Sequence, residues 1–391
     1  LQNPDQNVRK EAFFTYYQPF IEMHNTLAAT YGGSVKKDCT LAALRGYKSA
    51  LHRALYAESV PQKVYDNLLA AVKKGTPAVH RYVALRKKAL GVKELHMYDM
   101  YVPIVPDVDL TKDYDEAFEL VKQALHPLGD RYRELLDRAK AQRWIDVEET
   151  RNKRSGAYSW GCYDSNPFVL LNYRPTLHDV FTIAHELGHS MHSYLSNEAQ
   201  CYEKAGYEIF VAEIASTVNE VLLLKYMLGT AEGAMRKYLL SYYLDMFRTT
   251  LFRQTMFAEF EKFAHDEIER GQPLTAESMN RAYLELNKKY YGSSVVHDDP
   301  IAYEWSRIPH FYNAFYVYKY ATGLTAAVNI AGRILSEPGY VDKYFAFLSA
   351  GGSLRPLEIL RLAEVDLMSR KPFDVAMTEF KNTLEELKQC L

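Results

Sequence analysis

Two histidines four residues apart, with a glutamate directly after the first, carry the clearest chemistry in this chain: His185-Glu186-Leu187-Gly188-His189. On a helix, positions i and i+4 share a face, so the two imidazoles converge on one point, roughly 2 Å from a shared zinc ion. Glu186 is turned about 100° from His185 around the helix axis, which sets its carboxylate beside an attacking water rather than on the metal. That is the physical content of the HExxH signature. With 12 histidines and 49 acids in 391 residues, chance supplies about 0.05 such matches. The motif is therefore specific.

A third ligand has to come from another element. His192 lies on the same face as His185, but seven residues rise about 10 Å along a helix, too far for one ion. His178 fails for the same reason. Glu213 is the preferred candidate, because it interrupts an otherwise apolar, small-residue run, Phe210-Val211-Ala212-Glu213-Ile214-Ala215-Ser216. A carboxylate buried there needs a cation or hydrogen bonds to offset its desolvation. Glu203 and Glu208 sit in more polar surroundings. Glu220, seven residues after Glu213, shares its stripe and could orient a ligand histidine from behind. Gly188 costs about 1 kcal/mol in a helix relative to Ala, which points to close approach of a strand or substrate over that turn.

The elements that must position these groups follow from pattern. Thr176, with Asp179 three residues on, reads as the N-cap of the motif's helix. Residues 157–160 and 168–171, separated by the turn-rich Asp164-Ser165-Asn166-Pro167, read as a β-hairpin. Residues 5–90 read as successive helices, with apolar positions such as Phe13, Tyr17, Phe20, Met23 and Leu27 at helical spacing. Breaks are predicted at Gly32-Gly33, Ser59-Val60-Pro61 and Gly75-Thr76-Pro77. Residues 97–108 read as extended, and nearly everything after Thr176 as helix. The prediction is a mainly α catalytic unit over 1–391, with a helical wall region (1–150), a zinc-site core (151–391) and a small sheet beside the active-site helix.

Composition sets the outer limits. Hydrophobic residues at 48% and charged ones at 25% suit an ordinary soluble protein, and a net charge of −2 leaves no basic stripe for nucleic acid. The four cysteines are scattered without a CxxC pair, which fits a reducing compartment. No membrane-spanning or signal segment is evident, so a cytoplasmic location is expected. The 31 tyrosines suit helix contacts or a polar-aromatic channel.

His185-Glu186-Leu187-Gly188-His189, followed 28 positions after His185 by Glu213, resembles the thimet oligopeptidase-like zinc metallopeptidases, in particular their bacterial oligoendopeptidase F branch. Further matches are Tyr98-Asp99-Met100-Tyr101-Val102-Pro103, Gly156-Ala157-Tyr158-Ser159, the stretch 252–260 and Ile308-Pro309-His310-Phe311-Tyr312, so the likeness spans almost the whole chain. The resemblance implies a zincin-like, neurolysin-like helical fold with a deep substrate channel, one zinc per chain at its floor, and short peptides as substrates. It implies an N-terminal helical region that this chain lacks. It also implies a histidine and a tyrosine opposite the zinc that meet the oxyanion: His310, and Tyr318 as the preferred tyrosine, with Tyr316 and Tyr312 as alternatives. Glu186 would move the proton of the attacking water, and the strand at 156–159 would hold substrate by β-addition. The competing expectations are a zinc exopeptidase, which needs a device for a free terminus that the sequence does not display, and a peptide-binding protein with a non-catalytic zinc site, for which Glu186 has no use.

Overall fold

A computed structural model describes residues 1–105 and 111–391. In chain order the helices are α1 (Gln6–Glu22), α2 (His24–Leu44), α3 (Ala50–Ala57), α4 (Gln62–Leu90), α5 (Tyr114–Ala124) and α6 (Asp130–Ala141). There follow α7 (Leu177–Ala199), α8 (Tyr202–Ala205), α9 (Ile209–Thr230), α10 (Gly233–Met246), α11 (Arg253–Glu269) and α12 (Ala276–Tyr291). The last four are α13 (Tyr318–Ser336), α14 (Val341–Leu348), α15 (Pro356–Leu362) and α16 (Lys371–Cys390). The described strands are β1 (Ile145–Asp146), β2 (Tyr158–Trp160) and β3 (Phe168–Leu170). The fold is mainly α, as predicted. Among the described residues no helix is long and apolar enough to cross a membrane.

The chain forms two compact units, each discontinuous in sequence. The first comprises residues 1–107, 240–322 and 377–391, the second residues 108–239 and 323–376.

In the first unit the predicted helices form, but two of the predicted breaks do not. Gly32 and Gly33 lie inside α2, where burial of Tyr31, Val35 and Cys39 on one face outweighs the roughly 1 kcal/mol per glycine. Gly75 and Pro77 lie inside α4. There a Cβ on Gly75 would sit 2.4 Å from the Met377 sulfur and 3.3 Å from the Phe252 ring, so the glycine serves packing rather than a turn. The break at Pro61 is real, with α4 starting one residue later. Residues 97–100 form a 3₁₀ turn instead of the predicted extended segment. The Asp99 carboxylate accepts from the His96 amide at 2.9 Å and pairs with Arg9, which folds the backbone back on itself. Residues 106–108 of that prediction lie outside the described residues.

Many of the tyrosines are helix-contact residues. Tyr31 packs against Phe260, Trp305 and Phe311, and Tyr283 against Phe257 and Phe260. Beneath this cluster lies a buried carboxylate, Glu304, held by Arg253, Arg307 and the Tyr283 hydroxyl. Burial alone would raise its pKa, but the two guanidiniums outweigh it and bring it down to about 2. A depressed carboxyl stabilises the fold above its unfolded pKa of 4.5 and loses that contribution as pH falls toward 2. We expect Glu304→Gln to cost about 3 kcal/mol near neutrality, with the deficit shrinking steadily below pH 4.5. Urea midpoints of parent and variant measured across that range check this, and a deficit that ignores pH would refute it.

In the second unit, β1, β3 and β2 lie side by side in that order. The predicted hairpin is present: β2 and β3 are antiparallel, with Ser159 opposite Val169. The short strand β1, parallel to β3, was not predicted. β2 is one of the two edge strands, and its Ser159 hydroxyl meets that of Ser190 on α7 at 2.8 Å. Thr176 caps α7 as predicted, accepting from the Asp179 amide at 3.2 Å.

Candidate metal centre

α7 and α9 pack closely against each other, and Gly188 makes the approach possible. A Cβ there would lie 2.5 Å from Ser216 Cα and 2.7 Å from the Ala215 carbonyl oxygen. The predicted close approach over this turn is real, but the partner is the α9 backbone, not a strand or substrate. Asn219 of α9 ties the helices further, donating to the Ala184 carbonyl at 3.0 Å and accepting from the Tyr132 hydroxyl. We expect Gly188→Ala to destabilise the protein by about 1–3 kcal/mol through overpacking, although Ala is the better helix former. Because α9 carries Glu213, the same change should weaken metal binding. A variant with the parent's melting temperature and metal affinity would contradict the close contact.

Through this contact three side chains meet. His185 Nε2 and His189 Nε2 are 3.2 Å apart, and each lies 3.5–3.6 Å from Glu213 Oε2. A tetrahedral ion with ligand bonds of about 2 Å requires ligand atoms a little over 3 Å apart, so these three fit one zinc. Among the described residues this is the one cluster with ligand atoms so arranged. His192, fully buried, instead stacks on Tyr207 with ring centres 3.7 Å apart, and burial pulls its pKa down to about 3. His178, Glu203 and Glu208 are exposed and outside the cluster.

The surroundings prepare the donors. His185 Nδ1–H donates to Glu220 Oε1 at 2.5 Å, which leaves Nε2 with its lone pair toward the cluster. Burial depresses the His185 imidazole, but the carboxylates of Glu220, Glu213 and Glu186 outweigh it and push it up to about 9. Burial likewise opposes ionisation of Glu213, yet the hydrogen bond and charge of His189, with His185, hold its carboxyl below the usual range. A cation would replace those protons as the balancing charge.

Glu186 lies next to the cluster and outside the ligand set. Its side chain is 6% exposed and Oε2 has no hydrogen-bond partner in the protein. Burial raises its carboxyl pKa against the pull of the two imidazoles, and Glu213 and Glu220 add to the rise. A carboxyl whose pKa is raised above its ordinary value holds a proton more readily, which suits proton transfer to and from a reacting group. The cleft over these residues measures about 590 Å³ and is lined by 157–161 of the strand segment, Ser193, Tyr207 and Ala212 as well as the cluster. Two features of the site have no counterpart in the sequence reading: the His192–Tyr207 stack and the Asn219 brace. Asn219 carried the same signal as Glu213, a polar residue inside the apolar run of α9.

His310, Tyr316 and Tyr318 belong to the first unit. His310 and Tyr316 stack with ring centres 5.8 Å apart, and Tyr320 meets both edge-on. Tyr318, the preferred tyrosine, is 0% exposed and packs against Tyr65, and burial drives its phenol pKa well above the ordinary value. Tyr312 is exposed, with its hydroxyl 2.9 Å from that of Thr30.

Residues 1–379 match the sequence model of the family described as "Peptidase family M3". Oligopeptidase PepF of Bacillus subtilis (strain 168) is 45% identical over 393 residues, covering 100% of this chain and 59% of that protein. An oligoendopeptidase F homolog of Lactococcus lactis subsp. lactis (strain IL1403) is 42% identical, covering 100% of this chain and 65% of the relative. The crystal structure of oligoendopeptidase-F from Enterococcus faecium superposes with a TM-score of 0.81 at 38% identity, covering 100% of this chain and 64% of that one. The chain thus spans 59–65% of the length of these relatives.

Proposed function

Since this chain belongs to peptidase family M3, we propose that it is the catalytic part of a zinc endopeptidase that hydrolyses internal bonds of short peptides. His185, His189 and Glu213 hold one zinc ion and Glu186 serves as the proton-transfer group. The observation that carries the reading is the convergence of three ligand atoms at 3.2–3.6 Å with a buried, non-ligating carboxyl beside them. A site serving structure alone has no use for that fourth group.

A zinc ion in this site would supply a Lewis acid that polarises the scissile carbonyl and acidifies a water. The residues divide the remaining work. Glu220 fixes the tautomer and orientation of His185 through its Nδ1–H. Glu186 takes a proton from the attacking water and returns it to the leaving amine. The exposed edge of β2, with Tyr158 and Trp160 at 47% and 67% exposure, offers main-chain groups on which an extended peptide can add as a strand. The family resemblance assigns the role of oxyanion donor to His310 and a tyrosine of the same segment. Tyr316 takes this role instead of Tyr318 because a phenol at 0% exposure does not reach a substrate.

An internally quenched peptide blocked at both ends tests the proposal. We expect zinc-dependent cleavage that stops on chelation and returns with added zinc. Cleavage confined to peptides with a free terminus would move the assignment to an exopeptidase, and a zinc-loaded protein inert toward both would overturn it.

A further inference from the structure

The segment carrying His310 and Tyr316 turns through Phe315, whose φ of +57° lies in the left-handed region, a costly place for an aromatic residue. Such a conformation persists only where the surroundings over-determine it. Here they do. The Phe315 amide donates to Glu261 Oε1 at 2.9 Å. The Phe315 ring lies 4.5 Å from the His265 ring and meets Tyr65 edge-on at 6.2 Å. His265 in turn contacts the Glu261 carbonyl through Nδ1 at 2.8 Å. One turn of α11 therefore grips both the backbone and the side chain of the strained residue.

Glu261 is an expensive residue for this position. Its side chain is 0% exposed, Oε2 has no hydrogen-bond partner in the protein, and no ion pair forms to it among the described residues. The cation that acts on it, Lys319, is paired with Glu58 and lies over the Tyr316 ring at 4.9 Å. An apolar residue would fill the space without the cost of desolvating a carboxyl. What an apolar residue lacks is an acceptor for the Phe315 amide.

We propose that Glu261 is a positioning residue of this enzyme: by accepting from the Phe315 amide it holds the left-handed bend that sets Tyr316 beside His310. The proposal rests on the peptidase reading for its catalytic consequence, and on geometry alone for the clamp. Burial pushes the Glu261 carboxyl well above the usual carboxylate range, and glutamine, which keeps the shape and the acceptor oxygen, is its closest replacement.

The test compares Glu261→Met, which keeps volume and loses the acceptor, with Glu261→Gln, which keeps both, in the intact protein. For the Met variant we expect kcat to fall roughly tenfold to a hundredfold through misplacement of Tyr316 and His310, with KM for a short peptide and zinc content close to the parent. Hydrogen exchange at the Phe315 amide should accelerate at least about tenfold as the clamp opens. The Gln variant should recover most of both losses. Equal loss in the two variants would overturn the proposal, because the acceptor would then not be the property that matters. Parent-like turnover and exchange in the Met variant would overturn it as well. If the Met variant does not fold, exchange in the unmodified protein decides: the Phe315 amide must be among the slowest in residues 310–320, and fast exchange sinks the clamp. A parent without peptidase activity would refute the function while leaving the exchange measurements to judge Glu261.

Discussion

Glu186→Gln should leave zinc content, fold and substrate affinity close to the parent while turnover falls by roughly 10³–10⁴-fold, the scale of a lost general base. His185, His189 and Glu213 supply the three converging ligand atoms, and Glu186 is outside that set. Glutamine is isosteric and keeps the packing of a side chain that is 6% exposed, but it has no basic oxygen to accept the proton. Because the lost interaction exists only on the way to the transition state, kcat should fall and KM should hardly move. Metal analysis beside steady-state kinetics checks the result. A glutamine variant with near-parent turnover would remove Glu186 from the chemistry, and one without zinc would make it a ligand.

His189→Ala should abolish stoichiometric zinc, and activity with it. The variant keeps two of the three converging donors, too few for the three-ligand zinc site that hydrolysis uses. A comparison sets the scale. Glu220→Ala removes only the group that orients His185, for which losses of about 10- to 100-fold in metal affinity are typical, so His189→Ala must exceed that range. Competition with a chromophoric chelator ranks the two variants directly. Full zinc occupancy in the His189 variant would discard the ligand assignment, and a larger loss from Glu220→Ala than from His189→Ala would invert the roles of these two residues.

What the sequence disclosed depended on whether a signal was local. The two histidines were legible because helical spacing alone brings them together, and Glu213 because a charge inside an apolar helix needs an explanation wherever that helix goes. The Thr176 cap and the β2–β3 hairpin are local for the same reason. Most of the misreadings involve a residue whose meaning is set by a distant partner. Gly75 looked like a helix breaker until Met377 and Phe252 occupied the space beside it, and Gly188 looked like room for a strand or substrate until Ser216 of α9 filled it. The turn at 97–100 depends on Arg9, some ninety residues earlier. Tyr318 could not be told from Tyr316 by type, since only the packing of Tyr65 against one of them separates a core ring from an accessible one.

Glu213 and Glu220 ride on the same helix, so α9 fixes both the third ligand and the carboxylate that aims the first one. This puts different limits on how the two parts of the chain can change length. Between His189 and Glu213 the path leaves α7, passes α8 and re-enters a helix, and residues gained or lost there can be absorbed before α9 begins. Between Glu213 and Glu220 nothing can absorb them. One inserted residue would rotate one carboxylate about 100° away from the other, and His185 would keep either its metal partner or its orienting partner, but not both. The seven-residue interval on α9 is therefore as rigid a requirement as the four-residue interval on α7, and insertions should be tolerated before Glu213 and purged after it.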